Sequence, residues 1–230
     1  GEPRPLDGLE LAIPVPATAK VICAALNYAS HAAETGGRVS EHPNLFARWA
    51  ATLVPAGVPV PVPRTEPGLD WEVELAVVVG APLIDVGPDE VAAGVLGYTV
   101  FNDLSARAHQ QASRQWALGK NSDRSGPVGS TIVTADSLDA AGLHLETRVN
   151  GEVMQSGSTA DMIFSIAELL AYASRTITLR PGDLIATGTP PGVGFVREPP
   201  VFLVPGDVVE VEVEGIGMVR TPVVDSSHRG

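Results

Sequence analysis

The segment LDWEVELAVVVG, residues 69–80, constrains this chain more than any other. Its near-continuous, β-branched apolar end is the pattern of a buried strand. Side chains of a strand alternate, so Glu72 and Glu74 share one face. Two carboxylates on one face, directly before so apolar a run, are unfavourable unless something positive lies between them. A solvated strand end accounts for Asp70, Glu72 and Glu74. So does a site for a hard cation, since oxygen ligands suit Mg²⁺, Mn²⁺ or Ca²⁺. Asp103 shifts the balance toward the cation. It ends YTVFND, where an apolar strand stops abruptly at polar groups. Three carboxylate ligands would leave about three positions of an octahedral ion for water or substrate. A partly open ion of that kind is the kind that catalyses.

The rest of the chain reads as many short strands. Its 24 glycines and 20 prolines are scattered through apolar runs, which places tight turns between strands and not a low-complexity linker. Residues 1–19 are Pro-rich and read as an extended lead-in to a single domain over 20–230. Residues 20–26 read as a buried strand, and 31–48 as a short helix followed by a mobile loop. Residues 86–95 suggest a short helix with Pro88 at an early position, and YTVFNDLS a strand running into a helix at about 104–116. Beyond Gly129 the segments STIVTA, LHLETRVN, DLIATGT, DVVEVEVEG and MVRTPVV read as strands. SIAELLAYASR, 165–175, is an amphipathic helix among them. Strands without regular β-α alternation imply an α+β fold with a strand-dominated core.

With 44% apolar and 18% charged residues, the chain has the composition of a globular domain. Its net charge of −12 argues against nucleic acid and against an anionic membrane surface. It does not exclude an anionic substrate, because a local Arg, Lys or metal ion can dominate one cleft. Cys23, the single cysteine, lies in the apolar run VICAAL and reads as a buried thiol. No signal-peptide pattern and no long apolar run is present, so a cytoplasmic location is the expectation.

Further groups carry chemistry. His31 and Glu34 share a helix face at i, i+3, and a carboxylate-oriented His is a usual general base near neutral pH. A surface salt bridge is the plainer reading of that pair alone. Asn27 and Tyr28, just upstream, have polar tips that could line the same cleft or pack in the core. Lys120 precedes a Gly/Pro turn. Arg107 could ion-pair structurally or bind a carboxylate bidentately, and Gln110 could donate to a developing oxyanion. In PGDLIATGTPPGVG, residues 181–194, backbone N–H groups and the hydroxyls of Thr187 and Thr189 could hold a carboxylate. The loop lacks the phosphate-loop pattern, so nucleotide binding is rejected.

In this order the motifs resemble the fumarylacetoacetate hydrolase family. The resemblance rests on LNYASHAAE, DWEVELAVVVG, GYTVFNDLSAR, GKNSDRSGPVG, VNGEVMQSGSTADMIF, LRPGDLIATGTPPGVG and GDVVEVEVEGIG, which span residues 26–217. It implies a mixed β-sandwich roll with a few short helices, dimeric, with Mg²⁺ or Mn²⁺ in the site. By matching position, Glu72, Glu74 and Asp103 would hold the metal. His31 and Glu34 would activate water on a lid, Lys120 would stabilise developing negative charge with Gln110 assisting, and Thr189 would contact the substrate carboxylate. Arg48 stands in LFARW where many members carry Lys, and Ala108 stands where many carry an acidic residue. Both lie near the presumed site, and Arg48 joins Asn27, Tyr28, Arg107 and Thr189 as a candidate substrate contact. The expected reaction is hydrolysis of a C–C bond in a small 2-oxo acid resembling an acylpyruvate or fumarylpyruvate. Decarboxylation or isomerisation of oxaloacetate or a dienedioate on the same site is the alternative, and a non-catalytic dicarboxylate-binding protein a further one.

Overall fold

The computed structural model describes residues 10–228. Residues 1–9 of the expected lead-in lie outside the described residues, and 10–19 form no helix or strand. The strands are β1 (Lys20–Ala25), β2 (Asn44–Trp49), β3 (Leu53–Pro55), β4 (Val60–Pro61), β5 (Val73–Val79), β6 (Val95–Asn102), β7 (Gly126–Val128), β8 (Val133–Thr134), β9 (His144–Val149), β10 (Glu152–Ser158), β11 (Leu184–Ala186), β12 (Val208–Val213) and β13 (Gly217–Val224). The helices are α1 (Ala29–Glu34), α2 (Arg107–Gln111), α3 (Ala117–Lys120) and α4 (Ile166–Ser174).

One sheet runs β2-β1-β11-β5-β6-β7-β3 with β8 attached to β6; the other runs β10-β9-β12-β13-β4. Parallel and antiparallel pairs occur in both. In the first sheet, β2 and β3 lie at opposite ends of a seven-strand path, yet only the turn Ala50–Thr52 joins them. Six flat inter-strand spacings would separate those ends by about 29 Å. The short link reaches about 14 Å when fully extended. The sheet therefore curls until its edges approach, which is the expected roll.

Register decides what fills the roll. Along β5, Glu74, Ala76 and Val78 share one face, and the pairing carries that face through Val21 and Cys23, Leu184 and Ala186, and Phe101. These apolar side chains, with Leu53 and Val128, form the interior of the roll. Cys23 is fully buried there, and burial first, then Asp103 and Glu74, push its thiol well above the usual range. The opposite face of β5 is divided. Val73 and Leu75 pack against Leu145, Val209, Val211 and Val219 of the second sheet, making the sandwich. Val77 and Val79 pack against Leu169, Leu170 and Ala173 of α4. That helix starts on a capping box: Ser165 Oγ accepts from Glu168 N, and Glu168 accepts from Ser165 N.

Several elements depart from expectation. Residues 44–48 belong to β2, paired along its whole length with β1, and not to a loop. Of the helix expected at 104–116 only α2 forms, and a separate short helix, α3, follows it. β10 was not expected; it pairs with β9 across Asn150-Gly151, whose positive φ values of 51° and 86° suit a two-residue hairpin turn. No helix among the described residues is long and apolar enough to cross a membrane.

Candidate metal centre

Ladder hydrogen bonds continue past the ends of β5 and β6. Asp103 N donates to Glu72 O at 2.9 Å, and Asp70 and Ser105 exchange bonds of 2.9 and 3.0 Å. Pairing of this kind sets Glu72 beside Asp103, with Glu74 one alternation further along. Ligand oxygens of the three carboxylates lie within 4.8 Å of one another, and all three residues are buried.

Cations surround this trio unevenly. Lys120 Nζ donates to Glu72 Oε2 at 2.8 Å and to Asp103 Oδ2 at 2.7 Å. Arg107 Nη2 lies 2.7 Å from Glu72 Oε1. Arg48 Nη1 pairs with Asp103 Oδ1, and its Nη2 donates to Ser125 Oγ at 2.6 Å. Burial alone would raise the Glu72 pKa, but Lys120 first, then Arg107 and His31, hold it down at about 2. Glu74 has no ion-pair partner among the described residues and accepts from Gly188 N at 2.9 Å. Burial, then Asp103 and Glu72, push it well above the usual carboxylate range. Four carboxylates, counting Asp70, thus face three cations, leaving one negative charge in excess. A divalent cation among three convergent oxygens would satisfy that excess, so the donor set fits Mg²⁺, Mn²⁺ or another hard ion.

Glu72 and Glu74 open on a cavity of about 420 Å³ whose lining also includes His31, Lys120, Gln110 and Thr189, with Asp103 fully buried. His31 Nδ1 and Glu34 Oε1 are 2.8 Å apart. With Nδ1–H donating to Glu34, Nε2 is left as an acceptor on a ring that lines the cavity. Glu34 is itself gripped by Gly192 N, at 3.0 and 2.9 Å to its two oxygens. Only glycine fits position 192: its φ is +103°, and a Cβ there would meet Met154 O at 2.4 Å. Gly119 has a comparable role for Lys120. A Cβ at 119 would meet Gln110 N at 2.6 Å, so the bare backbone lets α3 close on α2 and deliver the lysine.

The structure brings His31, Glu34, Glu72, Glu74, Asp103, Lys120, Gln110, Arg107 and Thr189 together, but three expected substrate contacts stand elsewhere. Asn27 binds backbone: it donates to Phe164 O and Thr187 O and accepts from Phe164 N. Tyr28 is fully buried and does not line the cavity. Arg48 has a fully buried side chain and addresses Asp103 instead of solvent or substrate. Thr187 donates its hydroxyl to Leu75 O at 2.9 Å. Four amides of the 187–195 loop are likewise taken by carboxylates of the chain itself. Gly188 holds Glu74, Gly192 holds Glu34, and Gly194 and Phe195 hold Asp70. Gln155 and Ser125 are supporting residues that sequence reasoning did not place, and Asp70, grouped there with Glu72 and Glu74, supports Arg107 and the 194–195 amides.

Comparison with known proteins gives the family. The family profile for the C-terminal region of fumarylacetoacetate (FAA) hydrolase matches residues 20–224. The chain belongs to the fumarylacetoacetate hydrolase family. It is 43% identical over 213 residues to the mitochondrial oxaloacetate tautomerase Fahd2a of Rattus norvegicus, covering 92% of this chain and 68% of that protein. The solved fumarylacetoacetate hydrolase of Exiguobacterium antarcticum superimposes with a TM-score of 0.89 at 39% identity, covering 97% of this chain and 81% of that one. A 5-carboxymethyl-2-hydroxymuconate delta-isomerase from Mycobacterium smegmatis gives 0.86 at 39% identity, covering 98% and 86%. As an enzyme-family member with an acidic triad, the chain has the expected strand-dominated fold.

Proposed function

We propose that the chain catalyses keto–enol tautomerisation of a small 2-oxo dicarboxylate of the oxaloacetate class. The observation that carries this reading is the His31–Glu34 pair, which sets a carboxylate-oriented imidazole on the same cavity as Glu72 and Glu74. In going from keto to enol, Nε2 takes a proton from the carbon beside the ketone. The C–H electron pair becomes the C=C bond, the C=O π pair moves onto the former carbonyl oxygen, and that oxygen takes up the proton His31 carries. Glu34 steadies the imidazolium formed on the way. A divalent cation held by Glu72, Glu74 and Asp103 would draw off the negative charge that develops at the 2-oxo acid end.

Neighbouring side chains are oriented for the same task. Gln110 Oε1 accepts from Arg107 Nη1 at 2.8 Å, which turns the Gln110 amide so that its N–H groups remain to donate. Thr189 Oγ1 accepts from Gln155 Nε2 at 2.9 Å, which leaves its hydroxyl proton for a carboxylate. Lys120 has three N–H donors; Glu72 and Asp103 take two.

Hydrolysis, the first expectation from the motifs, would use the same pair on water. The tautomerase and isomerase names among the relatives lend more support to proton transfer without bond cleavage. The test follows the ultraviolet absorbance of enolic oxaloacetate with added Mn²⁺, and identifies products by mass. Accelerated decay with oxaloacetate intact supports the proposal, and His31→Ala then slows it by about 10²- to 10⁴-fold while Mn²⁺ affinity is retained. Pyruvate and CO₂, or two acids from an acylpyruvate, without accelerated tautomerisation would overturn it.

A further inference from the structure

Three cationic side chains line the cavity: Arg107, Lys120 and Arg114. Arg107 is bound to Asp70 and Glu72, and Lys120 to Glu72 and Asp103. Arg114 has neither an ion pair nor a hydrogen bond among the described residues. It sits in the connection between α2 and α3, which also supplies Ser113 and Trp116 to the cavity wall. It is exposed, whereas the carboxylate trio is buried. The cavity thus has two differently charged regions. Its floor holds oxygen ligands whose charges are largely met from within, and its mouth carries a guanidinium that no carboxylate among the described residues pairs. In a protein of net charge −12, an unpaired arginine on a cavity wall is a local attraction for an anion that the surface as a whole repels.

We propose that Arg114 is a specificity-determining residue that binds the carboxylate at the far end of the substrate, the end away from the 2-oxo acid group. The planar fork of the guanidinium matches a carboxylate with two parallel N–H bonds. The inference rests on the reading of the substrate as a 2-oxo dicarboxylate, and it names the group that selects a dicarboxylate over a 2-oxo acid with an apolar tail.

Oxaloacetate and 2-oxobutanoate form a matched pair, since a carboxylate in one replaces a methyl in the other. Their dissociation constants are measured by calorimetry with Mn²⁺ for the wild type, Arg114→Ala and Arg114→Lys. Tautomerisation rates are recorded separately. The expected result is that Arg114→Ala weakens oxaloacetate by about five- to tenfold and leaves 2-oxobutanoate unchanged. Arg114→Lys, which keeps the charge and loses the fork, falls between. In kinetics the loss appears in KM, with kcat retained. Equal weakening of both acids, or of neither, overturns the role of Arg114. Binding selectivity that depends on Arg114, without tautomerisation, would leave the subsite standing and remove the tautomerase reading.

Discussion

Asp70→Asn tests whether the centre is held together from outside the metal trio. The Asp70 carboxylate is fully buried and accepts four hydrogen bonds. Oδ1 receives Trp71 N at 2.9 Å and Gly194 N at 2.6 Å; Oδ2 receives Phe195 N at 3.1 Å and Arg107 Nε at 2.8 Å. An asparagine has one oxygen, and either orientation of its amide sets an NH₂ against two N–H donors. Two bonds are lost, two buried donors go unmet, and Arg107 keeps only Glu72 as an anionic partner. Each unmet donor costs about 1–3 kcal/mol. Removing one member of a buried ion pair costs about 3–5 kcal/mol. A loss of about 4 kcal/mol is expected, which for a chain of this size lowers Tm by about 8–16 °C. Differential scanning calorimetry and urea titration measure it, with the exposed Glu152→Gln as the control. A loss under about 1 kcal/mol would refute the argument that this carboxylate ties the loop at 192–195 to α2.

Glu74→Gln removes the one carboxylate of the trio without a cationic partner. The metal-free variant should unfold no more readily than the wild type, while the rise in Tm on adding Mn²⁺ disappears. In the wild type that rise corresponds to about 2.7 kcal/mol at a hundredfold excess over Kd. A Mn²⁺ response that survives in the variant would place the ion elsewhere. Ser165→Ala opens the capping box of α4 and should cost about 1 kcal/mol in urea titration, without change in Mn²⁺ affinity. No loss of stability would mean that packing against Val77 and Val79 alone sets that helix.

What could be read from the sequence was local. Alternation along one strand put Glu72 and Glu74 on one face, an i, i+3 spacing paired His31 with Glu34, and amphipathic periodicity marked α4 nearly to its ends. Less legible were relations that span the fold. Arg48 looked like a substrate contact because it stands where many family members carry Lys, near the presumed site; its partner Asp103 is 55 positions away, across the roll. Residues 44–48 looked like loop because His, Gly and Pro precede them, but their pairing with β1 supplies order that local composition does not encode. The 187–195 loop has amides suited to an anion, and it does bind anions. They are carboxylates of its own chain, from 114 to 158 positions away.

That loop has a consequence for how such a site can change over generations. Its grip on Glu74, Glu34 and Asp70 is made by main-chain amides, so replacements elsewhere on the cavity wall leave the donors in place, although Gly188, Gly192 and Gly194 themselves have no room for a side chain. Substitution can therefore alter the cavity wall, at Arg114 or Trp116, without loosening the base from the cation ligands. A one-residue insertion between Gly188 and Gly194 would act differently, shifting the register of three carboxylate contacts in one step. The walls of this cavity are free to drift in substrate preference, whereas the length of the segment TGTPPGVG is not free to vary at all.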